Sequence, residues 1–217
     1  CCRPDSLKDY ILQHRKIIIA GTTGLVGHEM LRIALAQPDI SEVLSLGRRP
    51  AVMQHPKLSH QVVDFAHLAD LPSADEVYLA LGTTIKVAGS QAAFRAVDFD
   101  ANLVVAKAAL AAGVRKLGLV SAMGADARSR VFYNRTKGEL ESALQQLGFE
   151  GLVFARPSLL LGDRSKLGQP ERTGEAMGQV IGRLFNVLIP ANYKPIEARA
   201  VAASLLAHVP EIGRAHV

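Results

Sequence analysis

Short apolar runs and helix-spaced segments alternate along the chain. Lys16 to Ala20 (Lys-Ile-Ile-Ile-Ala) predicts a buried strand that meets a glycine at once. Leu25 to Gln37 carries apolar residues at helical spacing and stops at Pro38. Glu42 to Leu46, His60 to Phe65 and Glu76 to Leu81 predict the second, third and fourth strands. Ser90 is placed to cap a long Ala- and Val-rich helix that reaches Gly113. Lys116 to Ser121 predicts a fifth strand, Phe132 to Leu147 a helix stopped by Gly148, and Gly151 to Ala155 a sixth strand stopped by Pro157. Ala198 to His208 predicts a final helix before Pro210, with a last strand expected beyond it. Strands this short and uniformly apolar are expected to be buried on both faces, and their alternation with helices implies crossovers and parallel pairing. The predicted fold class is therefore α/β: a single doubly wound, Rossmann-like parallel sheet with helices on both faces.

Composition narrows the class without changing it. The 217 residues suit one domain, with 49% hydrophobic and 21% charged residues, which excludes a disordered chain or a coiled coil. Twenty-five basic against 20 acidic residues leave +5, but the bases are scattered, with no run longer than the pairs Arg15-Lys16, Arg48-Arg49 and Arg115-Lys116. A nucleic-acid surface shows a denser stripe, so no nucleic-acid partner is expected. No apolar run approaches the roughly 20 residues of a membrane helix, and no membrane partner is expected. The two cysteines, Cys1 and Cys2, are adjacent and staple nothing, which fits a reducing compartment; a cytoplasmic location is expected. Seven dispersed histidines give no ligand spacing, so no metal is expected.

Three segments stand apart. Residues 1–15 form a polar lead without the apolar stretch of a secretory signal, and with no initiating Met the natural start is expected upstream. The domain proper is expected over 16–210, and its least regular part, about 162–197, reads as a small substrate cap. The ending Ile212-Gly213-Arg214-Ala215-His216-Val217 is what ATC GGA AGA GCA CAC GTC encodes, a common sequencing-adapter string, and 212–217 are set aside from the fold reasoning.

Candidate chemistry begins at Gly21-Thr22-Thr23-Gly24-Leu25-Val26-Gly27, where the first strand becomes the first helix. Gly21 allows the tight turn, Gly24 lets backbone approach a pyrophosphate, and Gly27 lets the helix pack on the strand. The helix start adds free N–H groups and a positive dipole end, so a dinucleotide site is expected here. A carboxylate at the end of the second strand would take the ribose hydroxyls of NAD(H). This chain has Arg48 and Arg49 there, whose guanidinium forks suit a 2′-phosphate, so NADP(H) is expected over NAD(H). Asp64-Phe65, closing the third predicted strand, is expected to meet the adenine.

Tyr133 and Lys137 stand four apart at a helix start, which puts both on one face. An ammonium beside a phenol favours the phenolate, which suits proton transfer at a carbonyl or alcohol. Ser121 lies twelve residues earlier, at the end of the fifth strand, where its hydroxyl can reach a substrate oxygen. Asp126 and Arg128 read as solvated loop, Met123 as packing, Ser158 as a turn residue, and Phe94 and Phe99 as core.

With the glycine turn, this is the pattern of short-chain dehydrogenases/reductases. More narrowly the chain resembles an atypical subgroup, the Tat-interacting-protein-like oxidoreductases and their bacterial relatives, from about Lys16 to Val209. The resemblance rests on Leu81-Gly82-Thr83-Thr84, on Val120-Ser121-Ala122-Met123-Gly124-Ala125-Asp126, on Phe132 to Glu141, and on Ala155-Arg156-Pro157-Ser158-Leu159-Leu160. It implies a Rossmann fold, NADP(H), and catalysis by Ser121, Tyr133 and Lys137, with Lys137 also on the cofactor. It further implies that the Leu81 to Thr84 turn, Gly82 and Thr83 above all, passes the cofactor ribose, and that Pro157, Ser158 and Leu159 pass the nicotinamide. In this family the Tyr-bearing helix and the one before it often form a dimer face, and Ala101 to Ala112 permits close packing, so a monomer and a homodimer are both compatible. Two departures are visible. Leu81-Gly82-Thr83 replaces an Asn-Ala-Gly-type turn, and Val97-Asp98 stands where extended members carry Val-Asn. A helper of the proton relay is thus expected to be missing, and Asn102 is not taken as its replacement. The expected function is hydride transfer between NADP(H) and an unidentified small carbonyl or alcohol substrate. The alternatives are a non-catalytic NADP(H)-dependent redox sensor and, less favoured, a nucleotide-sugar epimerase or dehydratase.

Overall fold

A computed structural model describes residues 14–50, 53–161 and 195–212. Apart from a few edge residues, the polar lead, the cap and the adapter-like tail lie outside the described residues, as does the strand expected beyond Pro210. Six parallel strands form one sheet: β1 (Arg15–Ala20), β2 (Ile40–Gly47), β3 (Leu58–Val62), β4 (Glu76–Leu79), β5 (Lys116–Val120) and β6 (Gly151–Ala155), in the order β3-β2-β1-β4-β5-β6. Ile18 sits between Leu44 and Val77 in register, and Leu117 lies beside Val77. The order reverses at β1, so a crevice opens where β1 and β4 diverge at their carboxyl ends.

The isoleucine run of β1 feeds both layers because successive side chains alternate across a strand. Ile17 and Ile19 pack with α1 (Leu25–Ala36) and with the carboxyl-terminal helix, through Met30, Leu31, Val201 and Leu205. Ile18 packs on the other side with Val105, Ala109, Leu140 and Leu144 of two further helices. After α1 the helices follow in chain order: α2 (Ile85–Ala88), α3 (Gln91–Arg95), α4 (Asn102–Ala111), α5 (Phe132–Gln145) and the carboxyl-terminal α6 (Ala198–His208). The six strands and the final helix match expectation.

Three differences have local causes. β3 ends at Val62 rather than Phe65, and it is largely exposed, with Val62 60% exposed. Among the described residues it pairs only with β2, so its Leu-Ser-His-Gln-Val sequence needs no apolar second face. The long helix expected from Ser90 to Gly113 is capped as foreseen, with Ser90 Oγ accepting from the Ala93 N–H at 3.1 Å. It is then interrupted by a π-helical stretch, Ala96–Ala101, between α3 and α4. Finally, Thr84 caps the unforeseen α2 by accepting from Val87 N–H, and a two-stranded sheet joins β7 (Leu160–Leu161) to β8 (Ile196–Glu197).

At the amino end of the sheet a polar cluster is buried. Arg15 Nη1 donates to both Glu76 oxygens at 2.8 and 2.9 Å, and Tyr78 Oη donates to Glu76 Oε2 at 2.6 Å. Burial foremost, with the Glu76 charge, pushes the Tyr78 phenol far up, so it stays a donor.

Candidate functional site

The turn after β1 is built by what its glycines lack. Gly21 has φ +96°, a left-handed conformation, and a Cβ there would meet the Ala80 backbone at 2.6 Å. A Cβ on Gly27 would overlap the Gly21 carbonyl. Gly24 stands at the N-cap of α1 with no side-chain cap, so the first-turn N–H groups keep their capacity for an anion. Thr22 departs from expectation: it is buried, and its Oγ1 hydrogen-bonds Ser45 Oγ at 2.7 Å. Its side chain ties the turn to β2 and does not face the crevice.

A cleft of about 370 Å³ runs over the carboxyl ends of the strands. Gly21, Thr23, Gly24, Leu25, Val26, Arg48, Arg49 and Phe65 line one part of it. Leu81, Gly82, Thr83, Ser121, Tyr133 and Lys137 line the other, with Val87, Val97 and Leu160 among the apolar walls. Both arginines are exposed on the rim. His60 bridges Ser45 Oγ and the Arg49 carbonyl, which fixes the backbone that carries them. The glycine cradle, the uncapped helix start and the rim cations together fit a dinucleotide.

Several expected residues stand outside this lining. Asp64 instead caps a short 3₁₀ turn, Phe65–His67. Its carboxylate accepts from His67 Nδ1 and from Ala66 N–H, both at 3.0 Å, and those bonds, His67 first, hold it below the usual carboxylate range. Phe65 alone of that pair reaches the cleft. Thr84 serves as the α2 cap. Pro157, Ser158 and Leu159 do not line the cleft, although the Pro157 carbonyl accepts from Met123 N–H at 2.9 Å and Leu160 is a wall.

Ser121, Tyr133 and Lys137 converge. Ser121 leaves β5 with its N–H on the Ala155 carbonyl, and its Oγ is buried without a hydrogen-bond partner. Tyr133 opens α5, its ring tilted against Phe94 with centroids 5.6 Å apart. A Cβ on Gly138 would collide with the Asp126-Ala127 backbone, so only glycine lets α5 lie this close to the loop after β5. Phe94 is core, as expected, while Phe99 is partly buried beneath the Arg95 guanidinium. Lys137 is buried one turn beyond Tyr133, and its Nζ lies 2.7 Å from Asp98 Oδ1.

Asp98 is the residue of the site whose partner sequence reasoning missed. It marked the Val97-Asp98 departure as a missing helper; the structure puts the carboxylate on the lysine. The signal was visible as an acidic residue in an apolar helix; Asp98 lies in the π-helical stretch and pairs with Lys137. Asn102 is buried too, donating from Nδ2 to the carbonyls of Leu81, Val97 and Asp98 at 3.2 Å each. Among the described residues no group of three or more His, Cys, Asp or Glu is arranged to hold a metal, and no helix is long and apolar enough to cross a membrane.

No family model matches the chain. Its relatives among curated proteins include the mitochondrial protein FMP52 of Coccidioides immitis, 35% identical over 180 residues, covering 76% of this chain and 72% of that protein. FMP52 of Candida albicans, also named mitochondrial, is 34% identical over 192 residues, covering 84% and 82%. HTATIP2 of Rattus norvegicus is 34% identical over 175 residues, covering 77% and 70%. The fungal names correct the expectation of a cytoplasmic location, which rested only on the cysteine pattern. Among solved structures, a short-chain dehydrogenase family protein from Francisella tularensis aligns with TM-score 0.62 at 11% identity, covering 90% of this chain and 91% of that one. MoeE5, solved with UDP-glucose and NAD, aligns with TM-score 0.69 at 14% identity, covering 92% and 73%. These two show the fold alone. The chain belongs to the family of FMP52 and HTATIP2, and it has the Rossmann-like fold seen in short-chain dehydrogenase structures.

Proposed function

We propose that the protein binds NADP(H) across the cleft and transfers a hydride to or from a small carbonyl or alcohol substrate. The observation that carries this reading is convergence: Ser121, Tyr133 and Lys137 line the same cleft as the glycine turn and the arginine pair. The buried, partnerless Ser121 Oγ supports it, because Ser121 lines the cleft and an orphaned hydroxyl beside it is a donor awaiting an acceptor. Gly21, Gly24 and the α1 start take the pyrophosphate, Arg48 and Arg49 the 2′-phosphate, and Lys137 the ribose. When bound, the dinucleotide supplies the hydride that a carbonyl carbon accepts, or takes it from an alcohol carbon. Tyr133 Oη donates its proton to the substrate oxygen in reduction and removes it in oxidation, while Ser121 Oγ–H holds that oxygen in place. Val87, Val97 and Leu160 add apolar wall beside these polar groups, which suits a small carbonyl substrate with an apolar body. The mitochondrial names of the fungal relatives support a mitochondrial location for this chain as well.

A carbonyl-compound screen that follows NADPH absorbance tests the reading, with Tyr133→Phe as the control. Removing a positioned proton donor lowers turnover about 10²- to 10⁴-fold. Tyr133→Phe is expected to lose that much turnover and to keep its NADPH affinity. Turnover at the wild-type rate by Tyr133→Phe overturns the assignment. Tight NADPH binding with no substrate turned over favours a redox-sensing binding protein instead.

A further inference from the structure

A buried carboxylate is unfavourable unless both oxygens find partners. The Asp98 side chain is 1% exposed, and its two oxygens go to different elements. Oδ1 meets Lys137 Nζ at 2.7 Å, on α5. Oδ2 accepts the Thr83 N–H at 2.7 Å, in the loop after β4. Gly82 lies between them: a Cβ there would sit 3.4 Å from Asp98 Oδ1 and 3.9 Å from Lys137 Nζ. The backbone of the loop therefore passes directly over the ion pair.

The helix is shaped for this contact. Asp98 lies within the π-helical stretch, a rare geometry that recurs at functional sites. Asn102 Nδ2 donates to the Val97 and Asp98 carbonyls within that stretch and to the Leu81 carbonyl in the loop. The loop is thus held on both sides of Gly82, by Asn102 at Leu81 and by Asp98 at Thr83.

We infer that Asp98 is a positioning residue, which presets the Lys137 ammonium and the Gly82-Thr83 backbone in one geometry for the cofactor. The inference rests on the NADP(H) reading above. An ammonium carries three donors; Asp98 takes one, and the others remain for the ribose and the Tyr133 side of the cleft. A lysine fixed beforehand need not lose its rotamer freedom when the dinucleotide arrives, and such preorganisation appears as affinity.

The test is a double-mutant cycle of wild type, Asp98→Asn, Lys137→Met and the double variant, read in NADPH binding by fluorescence titration. Asparagine keeps an acceptor for Thr83 N–H but removes the charge that clamps Lys137. Each single change is expected to weaken NADPH about tenfold, the scale of one charge-assisted hydrogen bond, and the double variant about tenfold as well. Effects that multiply to about a hundredfold mean that Asp98 acts independently of Lys137, and they overturn the inference. Wild-type affinity in Asp98→Asn overturns it too. If Asp98→Asn does not fold, the double variant, which holds no unpaired buried charge, is compared with Lys137→Met: equal affinity supports the inference, and a further tenfold loss overturns it. For any substrate turned over, Asp98→Asn is expected to raise the NADPH KM about tenfold and to hold kcat at saturation within about threefold, because the bound ribose then holds Lys137. A merely structural role raises the KM and lowers kcat together. Wild type that binds NADPH but turns nothing over breaks the hydride-transfer reading and leaves the cycle readable. Wild type that binds no NADPH overturns both.

Discussion

Two ion pairs are buried at opposite ends of the same sheet, and they are built differently. At the amino end, Arg15 donates to Glu76 twice, Asp39 Oδ2 lies 2.8 Å from its other arm, and the Tyr78 hydroxyl closes the remaining approach. A rigid guanidinium fork meets a fixed carboxylate, and protein groups surround both. At the carboxyl end, a flexible lysine meets Asp98, and both line an open cleft beside a serine hydroxyl without a partner. The first arrangement is saturated and can only hold strands together. The second keeps donors in reserve, at the end of the sheet where Rossmann-type folds take their ligands. Substitutions at the two ends should therefore separate stability from binding.

The largest separation is expected at Glu76. Glu76→Ala leaves Arg15 with only Asp39 and Gln37 and strands the Tyr78 hydroxyl, and breaking a buried pair costs about 3 kcal/mol or more. Urea unfolding should register that loss, while NADPH affinity of the folded protein stays at the wild-type value. A variant that keeps its stability and loses NADPH would erase the distinction between the two ends.

The converse is expected at Arg48 and Arg49. Both side chains are exposed, so replacing them with alanine should move stability by no more than about 0.5 kcal/mol. NADPH should weaken about tenfold to a hundredfold, the scale of charge-assisted bonds to a phosphate, while NADH is unaffected. Parallel titrations of both nucleotides read this directly. Equal losses for NADPH and NADH would mean that the arginines do not serve a 2′-phosphate.

The same contrast explains which parts were legible in the sequence. The unbroken apolar run Ile17-Ile18-Ile19 and the helix spacing from Leu25 to Ala36 are local signals, and they were enough for the parallel sheet and its two layers. The positions of Ser121, Tyr133 and Lys137 at element ends were equally local. What depended on three-dimensional placement was not legible. Thr22 reads as a cofactor residue until Ser45 turns it inward. Asp64 reads as a strand end until it is seen capping the Phe65–His67 turn. The Asp98-Lys137 pair spans 39 positions of chain, and Asp98 sits in a π-helical stretch that no residue pattern announced. The Arg15-Glu76 pair, at a separation of 61, was not anticipated either. Long-range polar pairing leaves no periodic trace, because each partner sits in an otherwise ordinary local pattern.

The smallest expected effect sharpens the comparison most. Ser121 is 5% exposed, and its Oγ has no partner. A buried hydroxyl left unpaired is unfavourable by about 1–3 kcal/mol, so taking it away should not weaken the fold. Ser121→Ala is expected to leave the melting temperature unchanged or slightly raised, by up to about 1 kcal/mol of stability. For a carbonyl substrate identified in the screen, the same variant should lose turnover about tenfold, the scale of one neutral hydrogen bond to the substrate oxygen. Every hydrogen-bonding group of the amino-end cluster should behave the opposite way, because each one removed leaves a partner stranded. A fall in stability on Ser121→Ala, with turnover intact, would assign the hydroxyl to the scaffold and place it with the saturated end of the sheet.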